Sequence, residues 1–340
     1  MDLPPLHLIA VPTYRRPEDL GRALAEVSAQ LAALEVGPES ILVVDNDPAE
    51  TGRAIAEKHQ VRYVVETEPG IAAVRNRALT EATAAQATTM TFLDDDEIPT
   101  TGWLPALLQM WQTTQATAVA GKVLTTFPAQ TPEWVRASGA FIRPVRQHGQ
   151  TMREAATNNL LLHVPKVNAL GLKFDARFGL SGGEDSLFTR QLTERGGTIY
   201  WAENAVVREQ ESPDRFQRSW VLMRAFRSGN TATRVEVALS GNQISRLVAR
   251  TRMIIKGGIR AIAGNAQRLL GTIAGSLPQR ARGTRTAYRG YGMLAAAFGY
   301  VYYEYARRRA ASCRACGSPP SPSVGDSRPR NFLPEADYSL

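Results

Sequence analysis

Short apolar runs alternate with amphipathic stretches along the first 230 residues of the chain. The runs are rich in Val, Ile and Leu and stop at Pro, Gly, Asn or Asp, which is typical of buried strands. This pattern predicts strands at residues 6–11, 41–44, 61–65, 89–93, 118–124, 157–164, 198–202 and 205–207. Apolar residues at helical spacing predict helices at residues 18–34, 51–59, 71–84, 103–111, 186–195 and 216–227. The alternation predicts an α/β fold with a mostly parallel central sheet and helices on both faces.

One predicted strand, 89–93, runs directly into four acids, Asp94, Asp95, Asp96 and Glu97. Ligands of α/β folds bind at the edge where parallel strands end, so we expect these carboxylates at a functional site. Adjacent carboxylates repel one another unless water or a cation lies among them, and Mg²⁺ or Mn²⁺ prefers such oxygen ligands. The alternative is an acidic turn that begins the next helix, where Asp and Glu are also favoured.

The composition favours a folded, cytoplasmic protein. The hydrophobic fraction is 44% over 340 residues, which is enough for a substantial core. No secretory segment is evident at the start, and no apolar run reaches the ~18 residues of a spanning helix. Cys313 and Cys316 lie in a stretch rich in Pro and Ser. We therefore expect residues 313–340 to form a disordered tail and not half of a zinc site.

Positive charge is concentrated in one segment. Thirteen Arg and Lys residues and a single acid lie between residues 242 and 312, so this segment carries +12 in a chain of net charge +8. Apolar residues recur between these cations at helical spacing, which predicts amphipathic helices on an anionic membrane surface. The alternatives are a bundle packed on the α/β domain with a solvated basic face, and an arm that binds nucleic acid. No recognised nucleic-acid motif accompanies the segment, so a nucleic-acid partner is not expected.

Five motifs follow one another in order through the α/β region. They are the turn at 12–14, the strand end at 43–46, the segment at 70–76, the acids at 93–96, and Phe174 and Asp175 followed by residues 182–185. In this order, residues 6–230 resemble the family 2 glycosyltransferases of the GT-A fold. The resemblance implies inverting transfer of a sugar from a nucleotide-sugar donor, expected to be a UDP-sugar, to a hydroxyl of a glycan or lipid-linked acceptor. It also implies Mn²⁺ or Mg²⁺ as cofactor and a role in cell-surface polysaccharide synthesis.

By this resemblance, the base of the donor lies near the first two strand ends. Tyr14 and the backbone at Pro12 would flank the base, with Thr13 and Arg16 beside them. Asp45 would accept a hydrogen bond from a base N–H, as in uridine. A strand-end Asp is also a common helix cap, so Asp45 has a structural alternative.

The resemblance gives the diphosphate and the metal to a second group of residues. Arg75 would point toward Asp94 or the diphosphate, and a surface ion pair on a helix is its alternative. Asp94 and Asp95 would contact the ribose and the ligand shell of the metal. Asp96 would be the main direct metal ligand.

Glu184 and Asp185 form a second acidic site. Inverting transfer needs a base on the face opposite the leaving group, and such a group contributes ~10²–10⁴-fold to the rate. The resemblance gives this role to Asp185 and leaves Glu184 to orient the acceptor or support the loop. Gly182 and Gly183 allow positive φ and a close approach to the sugar. The two acids could also simply begin the helix at 186–195.

The chain departs from the family pattern in two places. Many relatives carry a His after the second acidic motif as a further metal contact, where this chain has Glu209, which could replace it or lie in a surface loop. Residues 224–231 lack the Gln-x-x-Arg-Trp pattern of processive synthases, which favours transfer of single sugars. Asn158 and Asn159 stand where relatives contact a sugar, although paired Asn also suits a strand-end turn.

These observations predict three regions: a catalytic domain at 1–235, a basic helical segment at 236–312 peripheral to the inner face of the cytoplasmic membrane, and the tail. Residues 127–152, rich in Pro, Gly and Gln, are expected to cross the active face. The enzymatic alternative is a sugar-phosphate nucleotidyltransferase, but the sequence lacks the Gly-rich, Lys-containing N-terminal loop expected of one. The non-enzymatic alternative, a membrane or nucleic-acid adaptor, leaves Asp185 without a purpose.

Overall fold

A computed structural model describes residues 6–144, 146–209 and 212–304. Within these residues nine strands form one sheet. They are β1 (His7–Thr13), β2 (Ile41–Asp45), β3 (Arg62–Val65), β4 (Thr89–Leu93), β5 (Glu97–Pro99), β6 (Ala118–Thr125), β7 (Thr151–Met152), β8 (Asn159–His163) and β9 (Ile199–Glu209). The strand order is β3-β2-β1-β4-β8-β6-β9-β5, with β7 beside β9. The predicted α/β class and GT-A architecture are confirmed.

The sheet is parallel through β3, β2, β1 and β4, and mixed beyond them. Strand β8 runs antiparallel to both β4 and β6, whereas β6 and β9 are parallel. The parallel half brings the ends of β1, β2 and β4 to one edge. Strand β9 is continuous where two short strands were predicted, because its pairing with β6 shifts register between Gly121 and Lys122 and then resumes.

The described residues form ten α-helices, some of which cover the two faces of the sheet. They are α1 (Pro17–Ala32), α2 (Arg53–Lys58), α3 (Ile71–Ala84), α4 (Trp103–Thr114), α5 (Glu133–Ser138), α6 (Val164–Ala169), α7 (Glu184–Glu194), α8 (Arg218–Leu239), α9 (Gln243–Ile273) and α10 (Leu277–Ala297). On one face, α3, α6 and α7 share a core in which Phe174 lies 5.9 Å from Phe92 and 4.1 Å from Phe188, centroid to centroid. On the other face α1, α2 and α4 bury Trp103. Each such side chain contributes about 1.5–3 kcal/mol of burial free energy.

The segment at 127–152 has a small core of its own. Phe141 lies 5.7 Å from Phe127, 4.9 Å from Phe216 and 5.7 Å from Trp220, so the segment is tied to the start of α8. The sequence did not predict α5 or this cluster, because its aromatics are scattered among Pro and Gln. Helix α8 also runs past the predicted end at residue 227, to Leu239.

Helices α8, α9 and α10 pack through glycine. A Cβ at Gly264 of α9 would lie 2.4 Å from the backbone N of Ala287, and one at Gly229 of α8 would lie 2.0 Å from the carbonyl O of Arg289. The helix backbones are therefore in direct contact. The predicted boundary at 235/236 falls inside α8 and remains a prediction, and the tail at 313–340 with its two cysteines lies outside the described residues. In the part of the chain that the structure describes, no helix combines the length and apolarity needed to span a membrane.

Candidate active site

The turn after β1 is tied to the acidic end of β4. Thr13 Oγ1 donates a 2.7 Å hydrogen bond to Asp95 Oδ2. Arg16 Nη1 donates to Asp95 Oδ1 at 3.2 Å and to Asp96 Oδ2 at 2.9 Å. The predicted donor turn and the predicted metal cluster thus form one unit at the edge of the sheet. Tyr14 is half-buried in this turn, with the Arg15 guanidinium 5.1 Å from its ring centroid.

Asp45 is fully buried and its carboxylate is engaged within the protein. Oδ1 accepts from the backbone N of Asp47 at 2.8 Å, and Oδ2 accepts from the backbone N of Gly52 at 2.8 Å and from the Tyr63 hydroxyl at 2.9 Å. The carboxylate therefore stabilises the loop between β2 and α2, which agrees with the helix-capping alternative given for Asp45. Its contact with a base remains a prediction.

Asn46 joins this loop to the beginning of α3. Its amide donates to the carbonyls of Glu66 and Glu68, each at 2.7 Å, and its Oδ1 accepts from Gly70 N at 3.0 Å. Gly70 has φ 118°, and a Cβ there would lie 2.9 Å from the backbone of Gly179. A larger residue at position 70 would separate α3 from the loop that leads to the second acidic site.

Arg75 connects the two acidic sites. Its guanidinium forms a buried ion pair with Glu184, and Nη2 lies 3.7 Å from Asp94 Oδ1. The Phe174 ring lies beneath the guanidinium, at 5.9 Å. Burial raises the pKa of Glu184 to about 7, with Arg75 opposing the shift and the Asp185 charge adding to it. Arg75 is thus the central cation of the site and not a surface ion pair.

The acids after β4 are strongly desolvated. Burial raises the pKa of Asp94 to about 6 and that of Asp95 to about 7, with further contributions from neighbouring carboxylates and opposition from Arg75 and Arg16. Burial also raises the pKa of Asp96, and it raises the pKa of Glu97 well above its usual range. Negative charge is therefore costly here, and a bound cation would stabilise it.

Among the described residues, no three His, Cys, Asp or Glu side chains form a group that could hold a metal ion. This arrangement still fits Mg²⁺ or Mn²⁺ bound through one or two carboxylates together with phosphate oxygens of a substrate. Glu209 lies opposite Glu97 in the β5–β9 pairing, and its charge raises the pKa of Asp96 after the larger effect of burial. Its Oε2 accepts from Arg143 at 2.9 Å and from Thr125 at 3.0 Å, so its metal role remains a prediction.

Asp185 lies half-exposed in the first turn of α7, where the helix dipole favours a carboxylate. The preceding Gly182 and Gly183 have φ 75° and 94°, as the sequence predicted. A Cβ at Gly183 would lie 2.2 Å from Cγ2 of Thr231 on α8. The pair begins α7, as one prediction had it, and it also lines the cleft, while the catalytic roles remain predictions.

Asn158 and Asn159, which the sequence analysis treated alike, lie in different environments. Asn159 is buried, with its Oδ1 accepting from Trp103 Nε1 at 2.8 Å and its amide donating to the carbonyls of Lys122 and Ala205 at 3.1 and 2.9 Å. Its side chain therefore braces β6, β8 and β9, and its contact with a sugar remains a prediction. Asn158 is half-buried, lines the cleft and donates to Glu97 Oε1 at 2.6 Å.

A cleft of about 510 Å³ extends from Asp94 past Glu184 and Asp185 to the C-terminal helices. Residues of α7, α8, α9 and α10 all contribute to its lining. Thr13, Tyr14 and Asp45 lie outside this lining. The cleft therefore joins Asp94 to the second acidic site and does not include the predicted base-binding residues.

A family model described as glycosyl transferase family 2 matches residues 8–174. The chain is 36% identical over 242 residues to the succinoglycan biosynthesis protein ExoM of Rhizobium meliloti (strain 1021), covering 68% of this chain and 75% of ExoM. The mannosyltransferase PcManGT from Pyrobaculum calidifontis, solved in complex with GDP-Man and Mn²⁺, aligns with a TM-score of 0.57 at 16% identity over 86% of this chain and 87% of PcManGT.

This chain also aligns with S. aureus TarS, with a TM-score of 0.47 and 16% identity, and the alignment covers 72% of this chain and 41% of TarS. The family model and the match to ExoM, at 36% identity over 242 residues, lead to the same assignment. The chain belongs to glycosyltransferase family 2.

Proposed function

We propose that this chain is an inverting glycosyltransferase that transfers a single sugar from a nucleoside diphosphate sugar, with uridine as the expected base, to an acceptor hydroxyl. The observation that carries the proposal is the position of Arg75 between the two acidic sites, paired with Glu184 and 3.7 Å from Asp94. Asp94, assigned to the donor and its metal, and Asp185, assigned to the acceptor, thereby line one cleft.

Asp185 is the proposed base. It would take the proton of the acceptor hydroxyl while that oxygen forms a bond to the anomeric carbon, on the face opposite the diphosphate. The bond between the anomeric carbon and the phosphate oxygen breaks, and its electron pair leaves with the nucleoside diphosphate. Glu184, held by Arg75, supports the loop that presents Asp185.

On the donor side, Tyr14 and the backbone at Pro12 are proposed to flank the base. Thr13 and Arg16 hold this turn against the acids, and Arg75 supplies positive charge near the diphosphate. Mn²⁺ or Mg²⁺ held by Asp96 and Asp94, with Glu209 as a further candidate ligand, would neutralise charge on the leaving diphosphate.

The similarity to a succinoglycan biosynthesis protein supports a role in polysaccharide synthesis, with a glycan or lipid-linked glycan as acceptor. The arrangement of two acidic sites around one cation favours glycosyl transfer over the nucleotidyltransferase and adaptor alternatives. In both alternatives Asp185 has no chemical task.

A thermal-shift experiment tests the donor site. The melting temperature would be measured with UDP, GDP, dTDP and CMP, each with Mn²⁺ and with EDTA. We expect one nucleotide family to stabilise the protein with Mn²⁺ and not with EDTA, and we expect Asp96→Ala to reduce this stabilisation. Glu154→Gln, which removes a cleft carboxylate outside the acidic cluster, is the control. A folded protein that no nucleotide stabilises would contradict the proposal.

We also propose that α9 rests on an anionic membrane surface. Nine apolar side chains of α9 are between 56% and 77% exposed, and their positions repeat at intervals of three, four or seven residues, with two adjacent pairs. They are Ile244, Leu247, Val248, Ile255, Ile259, Ile262, Leu269, Leu270 and Ile273, and we call them the α9 stripe. At 100° per residue the stripe lies opposite Gly257, Gly264 and Gly271, which face α10.

The basic composition of α9 and α10 argues for lipid as the occupant of this stripe. The exposed Arg252 lies beside it on the same helix. An amphipathic helix with apolar residues on one side and Arg or Lys at its flanks binds anionic headgroups. The protein would thus be peripheral to the inner face of the cytoplasmic membrane.

A further inference from the structure

Three cations from the C-terminal helices line the same cleft as Asp185. They are Lys256 and Arg260 on α9 and Arg289 on α10. Lys256 and Arg260 are four residues apart, which places them on one side of α9. The chemistry of the proposed glycosyl transfer uses none of them.

The other arginines of the cleft for which ion pairs are described have carboxylate partners within it. Arg75 pairs with Glu184, and the remaining pairs are Arg143–Glu209, Arg190–Glu236 and Arg227–Glu304. By contrast, within the described residues no carboxylate oxygen lies within 4.0 Å of a side-chain nitrogen of Lys256, Arg260 or Arg289. Arg260 donates only to Sδ of Met293, at 3.7 Å. Within the described residues, these three cations therefore lack a direct ion-pair partner, and Glu154 acts on Arg289 only at longer range.

The charges are close enough to affect one another. Partial desolvation and repulsion by Arg260 lower the pKa of Arg289, and Glu154 opposes the shift. Like charges held together in a cleft are stabilised when an anion binds between them. Three donors on two helices suit a ligand with several charged oxygens, such as a phosphate, better than a single carboxylate.

We propose that Lys256, Arg260 and Arg289 bind a phosphate or diphosphate group of the acceptor, and so hold the acceptor hydroxyl within reach of Asp185. This inference rests on the proposed function, because it takes Asp185 as the acceptor-side base. The location favours the acceptor over the donor. The cations and Asp185 line one cleft, whereas Thr13, Tyr14 and Asp45, assigned to the donor, lie outside its lining.

Calorimetric titration tests the site with inorganic pyrophosphate and with geranyl diphosphate, both in EDTA and with excess UDP as competitor. We expect the double variant Arg260→Ala/Arg289→Ala to bind pyrophosphate at least ~10-fold more weakly than the unmodified chain. Arg252→Ala/Arg268→Ala removes the same charge from exposed positions of α9 outside the cleft, and it should bind within about twofold of the unmodified chain. Arg289→Lys keeps the charge and should retain most of the binding.

Equal weakening in the two double variants would overturn the proposal, since it would indicate an effect of net charge. Displacement of pyrophosphate by UDP would also overturn it, because the anion would then occupy the donor site. Tighter binding of geranyl diphosphate than of pyrophosphate would identify a lipid-borne phosphate, and equal binding a phosphate recognised by itself. If no nucleotide stabilises the protein in the thermal-shift panel, the glycosyl-transfer proposal fails while the pyrophosphate result still decides this site.

Discussion

Arg75 on α3 and Glu184 on α7, 109 residues apart in the chain, form a buried ion pair at the centre of the site. The pair holds together the helix that follows the β3 loop and the helix that presents Asp185. Neither charge has ready access to water, since the two side chains are 7% and 4% exposed. The energetic cost of breaking this pair is therefore much larger than that of a surface salt bridge.

Replacing Arg75 by Met should destabilise the fold, because it leaves the Glu184 carboxylate buried without its partner. The expected loss in free energy of unfolding is about 3–5 kcal/mol, measured by urea denaturation. Arg77→Met is the matched control on the same helix, since Arg77 pairs with Glu81 at the surface and its loss should cost less than about 1 kcal/mol. Equal losses in the two variants would show that the pair does not organise the site.

Asp185→Asn should remove transfer and leave donor binding intact. Asn cannot accept the proton of the acceptor hydroxyl, so the turnover rate should fall by ~10²–10⁴-fold. The melting-temperature increase given by the stabilising nucleotide with Mn²⁺ should be unchanged. Glu203→Gln, which alters a half-exposed carboxylate outside the cleft, should retain activity. Full transfer by the Asn variant would remove Asp185 from the mechanism.

The order of the sequence motifs predicts the fold class and the position of the acidic cluster correctly, because each depends on local patterns. Strand ends are marked by a change from Val, Ile and Leu to Asp, Asn or Pro, and parallel strands must end at one edge. The same local patterns do not predict which group each of these side chains contacts. Whether Asp45 faces a ligand or the backbone of Gly52, and whether Asn158 or Asn159 faces the cleft, is decided by contacts between distant elements.

The C-terminal helices illustrate the same limit. Their amphipathic pattern and charge are evident in the sequence. From this pattern one expects that α9 has an apolar stripe and that it packs on a neighbouring helix. The glycines that permit backbone contact, such as Gly264 and Gly290, carry no helical signal of their own and normally disfavour helices. Their purpose becomes apparent only when the two helices are seen side by side.

The buried acids predict an unusual dependence of stability on pH. The pKa of Asp95 is raised from 3.8 to about 7 on folding, so the folded state binds more protons than the unfolded state between these values. Stability from this group is therefore full below about pH 4 and is lost as the pH rises toward 7. Asp95→Asn removes the titration. Relative to the unmodified chain, the variant should gain stability between pH 5 and 7, by at most ~1.4 kcal/mol per pH unit.

Urea denaturation at several pH values between 5 and 8, without metal, measures this difference. Asp175→Asn is the control, because hydrogen bonding by Arg177 lowers the pKa of Asp175 and its effect should be flat over this range. A difference between Asp95→Asn and the unmodified chain that does not change with pH would mean that Asp95 is ionised throughout.

Asn159→Ala should affect stability far more than substrate recognition. The substitution leaves the Trp103 indole N–H and the carbonyls of Lys122 and Ala205 without their partner in a buried site. Each unsatisfied group costs about 1–3 kcal/mol, so the melting temperature should fall clearly. The KM for the donor sugar, measured below the melting transition, should be unchanged. A raised KM in a protein of unaltered stability would instead support a direct contact between Asn159 and the substrate.

Vesicle flotation tests the α9 stripe. Ile255→Asp/Ile259→Asp places two charges where apolar side chains are 58% and 62% exposed, and binding to phosphatidylglycerol vesicles should fall by at least ~10-fold. Ile142→Asp, at an isoleucine 69% exposed outside the C-terminal helices, is the matched control and should bind as the unmodified chain does. Phosphatidylcholine vesicles should bind weakly in every case, since they offer no negative charge to the flanking cations.

Analytical ultracentrifugation tests whether a second copy of the chain, and not lipid, covers the α9 stripe. A dimer that the stripe variant dissociates, with no binding to either vesicle, would make the stripe a protein interface and contradict the membrane proposal.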